Sequence, residues 1–146
     1  MIIIFLNLSK KAMSSFHSLR VSNIDKLTSK AVIVSFEIPP TLMGDFNFMA
    51  GQYISLQTQI AGSQVRRSYS ICSVPQSGVL QVGIKQVPEG VFSTYATQQL
   101  AVGDFLEVSV PEGRFTLAPE LNESTIVGIA AGSGITPMMS IIKTIM

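Results

Sequence analysis

The sequence contains little cysteine, histidine and charge. Its 146 residues include one cysteine, one histidine and no tryptophan, and charged residues make up 13%. The lone cysteine, Cys72, excludes a disulfide framework and a cysteine metal site, so a reducing, cytoplasmic compartment is expected. The formal net charge of +1 and the lack of basic runs argue against nucleic acid as the main partner. His17 stands alone and is assigned no role, and we expect no metal site.

Long apolar runs are missing as well. Residues 1–8 are apolar, but they are far fewer than the roughly 20 residues that cross a bilayer. They also lack the basic leader and the small-residue cleavage site of a secretory signal. We therefore expect no membrane partner. Our hypothesis is that residues 1–12 are an extension outside the fold and that translation begins at Met13.

The residues that are present favour one β-rich domain. Hydrophobic residues make up 47% of the chain, which is enough to bury a core. Alternating or β-branched segments predict six strands at residues 18–24, 31–38, 51–58, 67–73, 79–87 and 105–110. A helix is predicted over residues 93–100, with Ser93 as its N-cap and Gly103 just beyond its end. Short strands between turn signals, with one inserted helix, predict a six-stranded antiparallel Greek-key barrel over residues 13–119.

The pattern changes near residue 120. Residues 125–130 form a continuous apolar run, as expected of a parallel strand covered on both faces. Residues 131–136 read as a glycine-rich turn, with Pro137 at a first helical position and a helix over residues 138–146. Strand, loop and helix in this order open an α/β nucleotide-binding unit. No second strand follows, so we expect residues 120–146 to be the start of an incomplete domain in a truncated product.

Two side chains in the fourth predicted strand point to a ligand. Strand side chains alternate faces, so Arg67 and Tyr69 share one face. A fixed cation beside a flat aromatic ring suits a ligand with both a phosphate and a planar ring system. The alternative is an ordinary strand with an exposed arginine and a half-buried tyrosine.

Two glycine-containing loops precede helices and could hold phosphates. Gly90 allows close backbone approach, the following helix start favours an anion, and the Ser93 hydroxyl could donate another hydrogen bond. Residues 132–134 offer a second loop of this kind in the required strand–loop–helix context. Arg67 and Lys85 could both face a pyrophosphate, although a lysine in the fifth strand is more often a solvated edge charge. No residue set suited to proton abstraction or hydrolysis stands out, so a cofactor would have to carry any chemistry.

Taken together, five motifs resemble the ferredoxin–NADP reductase-like flavoprotein family. They are Gly-Gln-Tyr at 51–53, R-x-Y-S at 67–70, G-x-x-S at 90–93, Pro-Glu-Gly-Arg-Phe at 111–115 and Gly-Ser-Gly-Ile-Thr-Pro at 132–137. The resemblance covers residues 16–146. Within the family, residues 16–19, 66–72 and 129–138 are most similar to reductase components of phenylacetyl-CoA oxygenase (epoxidase) systems. One departure is Ala50, where the family usually has proline.

The resemblance implies FAD and NAD(P)H as cofactors, with a 2Fe-2S cluster in a C-terminal part that this chain lacks. Arg67 would pair with the FAD pyrophosphate, Tyr69 would stack on the isoalloxazine and Ser70 would lie near the flavin N5; Tyr69 and Ser70 are the expected catalytic residues. The implied cofactor contacts are Arg67, Ser68, Tyr69, Ser70, Ile84, Lys85, Gly90, Val91, Phe92, Ser93, Gly132, Ser133, Gly134 and Thr136. Ile84 and Lys85 would contribute largely through backbone, and the last four residues would receive the phosphates of NAD(P)H.

The implied activity is hydride transfer from nicotinamide to FAD, followed by electron transfer to an iron–sulfur acceptor. The partner would be an oxygenase or a ferredoxin-type electron acceptor, and the pathway phenylacetate or other aromatic degradation. This chain alone is not expected to complete the turnover. Alternatives are a ferredoxin reductase or flavohaemoprotein-type reductase of the same superfamily, or a non-catalytic β-barrel that binds a partner and no flavin.

Overall fold

A computed structural model describes residues 15–117 and 126–146 and shows a mainly β protein. The strands are β1 (Phe16–Thr28), β2 (Ala31–Glu37), β3 (Tyr53–Ile60), β4 (Ser63–Ser70), β5 (Leu80–Lys85) and β6 (Phe105–Ser109), and the α-helices are α1 (Val91–Gln98) and α2 (Ile135–Ile145). The proposed extension at residues 1–12, the start at Met13 and the domain boundary at 119/120 lie outside the described residues. Neither helix in the described parts is long and apolar enough to cross a membrane.

The six strands form one antiparallel sheet in the order β4-β3-β6-β1-β2-β5. The sheet curls until its two edge strands meet at one end, where Ile71 forms a bridge with Val82 and the Cys72 amide donates to the Gln81 carbonyl at 2.9 Å. The fold class predicted from the sequence, an antiparallel six-stranded barrel with one inserted helix, is therefore confirmed.

The core follows from the period of two along each strand. Alternate residues point inward and are almost completely buried, while their neighbours face solvent. The largest of the fully buried side chains are Phe92, Leu19, Ile54, Leu56, Ile71, Leu80, Ile84, Leu106, Val21, Val34, Val82 and Val108. Phe92 comes from α1, so the helix contributes an aromatic ring to the core.

Four predicted elements begin earlier than expected, namely β1, β4, α1 and α2. β4 starts at Ser63 because Ala61 and Gly62, with φ of 49° and 78°, make a two-residue turn that pairs Ile60 with Ser63. α1 starts at Val91, so the prediction of Ser93 as N-cap is wrong; the capping residue is Gly90, which has an extended backbone and makes no side-chain cap. Ser93 lies instead in the first helical turn.

The predicted parallel strand at 125–130 is also wrong. Residues 126–130 are exposed and outside any strand, with Val127 79% and Ile129 90% exposed. A strand needs a neighbour for its backbone groups, and no parallel partner lies beside this segment among the described residues. α2 begins at Ile135 rather than after Pro137; proline is tolerated there because the first-turn amides of a helix have no intrahelical partner.

Candidate cofactor-binding site

Arg67 and Tyr69 lie on the same face of edge strand β4, as predicted. Their partners across the ladder are Leu56 and Ile54, which are both fully buried. The ring of Tyr69 packs against that of Phe92, with centroids 5.8 Å apart and a tilt of 38°. Burial raises the pKa of the Tyr69 phenol, and the nearby Arg67 guanidinium partly offsets that rise. The phenol therefore stays neutral at physiological pH, beside a positive charge.

The Arg67 side chain is exposed and has no carboxylate partner among the described residues, where the one ion pair joins Arg20 and Glu37 at 3.2 Å. Its Nη1 donates to the carbonyl oxygen of Arg66 at 2.7 Å. This hydrogen bond ties the guanidinium to the backbone of the preceding residue. Because a guanidinium has five N–H donors, the other donors remain available to an anion.

The start of α1 presents backbone donors on the side of Tyr69. Thr94 makes the first helical bond, to the carbonyl of Gly90 at 2.9 Å, so the amides of Val91, Phe92 and Ser93 have no partner inside the helix. The Ser93 hydroxyl donates to the Gly90 carbonyl and accepts from the Val87 amide, both at 3.2 Å. The serine therefore shapes the turn, and the backbone amides of residues 91–93 are the donors that the helix itself leaves unused.

Gly90 is required by space rather than by an unusual φ, which is −75°. A Cβ at this position would overlap the Ser93 hydroxyl and lie 2.5 Å from the Val87 Cγ2 atom. The preceding Glu89 has a φ of 59°. The chain thus turns tightly just before the helix, and only glycine leaves room for the Ser93 hydrogen bonds.

Ser68 and Ser70 lie on the face of β4 opposite Arg67 and Tyr69. The Ser68 hydroxyl is 2.9 Å from that of Ser55, and Ser70 is the last residue of the ladder, paired with Tyr53. A ligand on the Tyr69 side could reach Ser68 only through its backbone. Because alternation puts Ser70 on the opposite face, it could meet such a ligand only from the strand end or through a bend in the strand.

The second glycine loop lies against β5. Gly132–Gly134 forms a single 3₁₀ turn that leads directly into α2, and the Thr136 hydroxyl donates to the Ser133 carbonyl at 2.8 Å. A Cβ on Gly83 would lie 3.0 Å from the Thr136 methyl group. Thr136 therefore contacts the strand that carries the predicted residues Ile84 and Lys85.

Ile84 and Lys85 point in opposite directions. Ile84 is buried in the core, whereas Lys85 is exposed. Lys85 and Gly83 are two positions apart, so they lie on the same face of β5. Arg67 faces the inner side of the sheet. The two cations thus lie on opposite faces, and Lys85 is suited to a ligand of the inner face only through its backbone.

Three residues outside the predicted site fix its surroundings. Ser140 of α2, which is fully buried, donates its hydroxyl to the Ser73 carbonyl at 2.6 Å. Gly51 has a φ of 99°, and a Cβ there would overlap the carbonyl oxygen of Phe115. Gly83 is the third of these residues. The sequence contained a sign of the roles of Gly51 and Gly83, because both lie within predicted strands and glycine inside a strand often marks close approach of another backbone. No local pattern pointed to Ser140.

The motifs at 51–53 and 111–115 pack against each other. The backbones of Tyr53 and Glu112 exchange hydrogen bonds of 2.8 and 2.9 Å, and Gln52 Nε2 donates to the Gly113 carbonyl at 3.3 Å. These bonds hold the start of β3 beside residues 112 and 113. In the described parts of the chain, no cluster of three or more potential metal ligands occurs.

The comparisons with known proteins show the family of this chain. A family described as the oxidoreductase FAD-binding domain matches residues 18–117. One component of the 1,2-phenylacetyl-CoA epoxidase of Escherichia coli K12 is 40% identical over 133 residues, covering 90% of this chain and 37% of that protein. A flavohemoprotein of Halalkalibacterium halodurans is 35% identical over 130 residues, covering 83% of this chain and 31% of that protein.

A solved structure supports the fold. Phthalate dioxygenase reductase, described as modular for electron transfer from pyridine nucleotides to a 2Fe-2S centre, superposes with a TM-score of 0.67 at 24% identity; the match covers 89% of this chain and 39% of that one. The chain spans about a third of the length of the two curated relatives, 37% and 31% respectively.

Proposed function

This chain belongs to the oxidoreductase FAD-binding domain family, and on that basis we propose that it is the FAD-binding part of an NAD(P)H-dependent reductase. The resemblance to the ferredoxin–NADP reductase-like flavoproteins is thereby confirmed. In this proposal, residues 13–119 form the FAD-binding unit and residues 120–146 begin a nucleotide-binding unit. The compartment is the cytoplasm, as the single cysteine suggests.

One observation carries the proposal: a cation and a flat ring on one strand lie beside the start of a helix. Tyr69 of β4 contacts Phe92 in the first turn of α1, and the charge of Arg67 acts on the Tyr69 phenol. Amides without an intrahelical partner at a helix start suit a pyrophosphate, and an aromatic face suits a planar ring. The donors and the ring present in the chain therefore fit the two halves of FAD.

Each group has a separate task in this arrangement. Bound FAD would supply the conversion of a hydride from a reduced nicotinamide into single electrons, which amino-acid side chains cannot carry out. Arg67 and the amides of residues 91–93 would bind the pyrophosphate. Tyr69 would orient the flavin ring by stacking its own aromatic face against it. Holding reactants in a fixed orientation accounts for much of the rate of such transfers.

FAD binding by the purified protein tests the proposal. We expect a yellow protein with flavin absorption bands, and titration of the apoprotein with FAD should quench flavin fluorescence at a one-to-one ratio. Tyr69→Ala should weaken FAD binding about tenfold, because an aromatic contact of about 1.4 kcal/mol is lost. Phe105→Ala is the matched control, since this aromatic residue is 60% exposed on β6.

Two outcomes would contradict the assignment. A colourless protein that takes up no added FAD would favour the non-catalytic binding module. If Tyr69→Ala retained FAD as tightly as the parent and the Phe105→Ala control, the stacking role of Tyr69 would be wrong.

We further propose that the electrons pass to an iron–sulfur centre and then to an oxygenase of phenylacetate or related aromatic degradation. Support comes from the 40% identity to a phenylacetyl-CoA epoxidase component and from the described electron route of phthalate dioxygenase reductase. The adjoining gene sequence tests this: a nucleotide-binding unit followed by four clustered cysteines is expected. A globin-like region coupled to this chain would instead favour the flavohaemoprotein alternative, to which the 35% identical relative points.

A further inference from the structure

A row of three aromatic rings connects the edge strand β4 to helix α1. The ring of Phe92 lies between Tyr69, at 5.8 Å, and Tyr95, at 6.2 Å, measured between ring centroids. Phe92 is 1% exposed, so it cannot touch a ligand with much of its own surface. Its ring separates the barrel core from the half-buried ring of Tyr69.

The position of Phe92 in the helix matters as much as its contacts. It is the second residue of α1, between Val91 and Ser93, and the amides of all three residues have no intrahelical partner. The backbone of this one residue therefore belongs to the proposed phosphate site, while its side chain supports the proposed ring site. Tyr69 itself lies on an edge strand with no further strand on its outer side, so packing from β3 and from α1 has to hold its ring.

We infer that Phe92 is a positioning residue, which holds the ring of Tyr69 at a fixed place and tilt relative to the start of α1. The inference rests on the proposed function, because the ligand that would sense this arrangement is FAD. Strand side chains have several allowed rotamers, and a neighbouring ring restricts them by contact. Without the Phe92 ring, Tyr69 would retain its contacts with β3 but could tilt toward the space left by Phe92.

The test compares Phe92→Leu with Phe36→Leu in the full chain. Both residues are buried, at 1% and 3% exposed, and both substitutions replace a ring by a branched aliphatic side chain. Phe36 lies on β2 and pairs with Val21 and Leu80, away from Tyr69. Loss of one aromatic pair predicts that Phe92→Leu weakens FAD binding by about three- to tenfold, whereas Phe36→Leu lowers only the thermal stability.

A double-mutant cycle separates positioning from general loosening. In a Tyr69→Leu background, Phe92→Leu should cause no further loss of FAD affinity, because the ring that it positions is already gone. The circular dichroism of the flavin bands should change in Phe92→Leu and not in Phe36→Leu, since that signal reports the orientation of rings around the flavin. If Phe92→Leu does not fold, Phe92→Met takes its place, because methionine fills irregular spaces well.

Three results would overturn the inference. Equal FAD affinity and equal flavin dichroism for the Phe92 and Phe36 variants would show that Phe92 only fills the core. Fully additive losses in the cycle with Tyr69→Leu would show that the two rings act independently. A parent protein that binds no FAD would refute the proposed function and this inference together, whereas normal binding by the parent confines a failure to the role of Phe92.

Discussion

Replacing Gly90 by alanine is the most direct perturbation of the turn that precedes α1. The added Cβ would overlap the Ser93 hydroxyl, and it would lie 2.5 Å from the Val87 Cγ2 and 3.1 Å from the Val87 carbonyl oxygen. The φ of −75° is allowed for alanine. Any effect therefore arises from crowding and from loss of the Ser93 hydrogen bonds, and not from backbone strain.

The size of the effect follows from these contacts. Overpacking a tight site costs typically about 1–3 kcal/mol, and each of the two Ser93 hydrogen bonds contributes about 1 kcal/mol. Partial relaxation of the exposed turn reduces the sum, so we expect a loss of about 2 kcal/mol in the free energy of unfolding. For a domain of about 100 residues this lowers the Tm by roughly 10 °C.

Gly44→Ala is the matched control. Gly44 is exposed, and a Cβ there would meet no atom within 4 Å, so its free energy of unfolding should change by less than about 0.5 kcal/mol. Urea unfolding followed by far-UV circular dichroism measures both variants, and FAD titration then compares their affinities. Gly90→Ala should also weaken FAD binding, because the shifted turn moves the amides of residues 91–93. If the two variants had the same stability and the same FAD affinity, the reasoning about Gly90 would be refuted.

Three further predictions use other parts of the chain. Arg67→Gln should weaken FAD binding by about tenfold or more, because a hydrogen-bonded charge contributes about 1.5–3 kcal/mol; Arg66→Gln, on the other face, should leave the affinity unchanged in the same fluorescence titration. Ser140→Ala should lower the free energy of urea unfolding by about 2 kcal/mol, because the buried Ser73 carbonyl loses its 2.6 Å donor; an unchanged value would argue against docking of α2 on the barrel. Burial raises the pKa of the Cys72 thiol, so the folded state holds a proton that the unfolded chain releases, and stability should fall as the pH rises through about 9. Cys72→Ala should remove that part of the slope in urea unfolding at pH 7 to 10, and an identical slope in both proteins would contradict the role of the thiol.

The six strands and their common sheet could be predicted from the sequence because half-buried strands impose a period of two on the chain. The same period places Arg67 and Tyr69 on one face, and the structure agrees. The predicted helix was found as well, although it starts two residues earlier. Its start depends on the extended backbone of Gly90, which the residue type permits but does not require.

Other features depend on contacts between distant parts of the chain. The apolar run at 125–130 has the composition of a buried strand, but its described residues are exposed and form no strand. The reason is that a strand forms only beside a partner. The Ser68 hydroxyl bonds to Ser55 rather than facing the Tyr69 side, and the ring of Phe92 supports Tyr69.

Local periodicity therefore determined the strands, the faces of their side chains and the positions of the motifs, because these depend on neighbours a few residues apart. Only the tertiary structure decided which motifs meet. The curl of the sheet brings β4 against α1, and α2 against Ser73 and Gly83, through packing between residues far apart in the chain. Such packing depends on the volume and shape of facing side chains, and these cannot be predicted from the sequence of one segment alone.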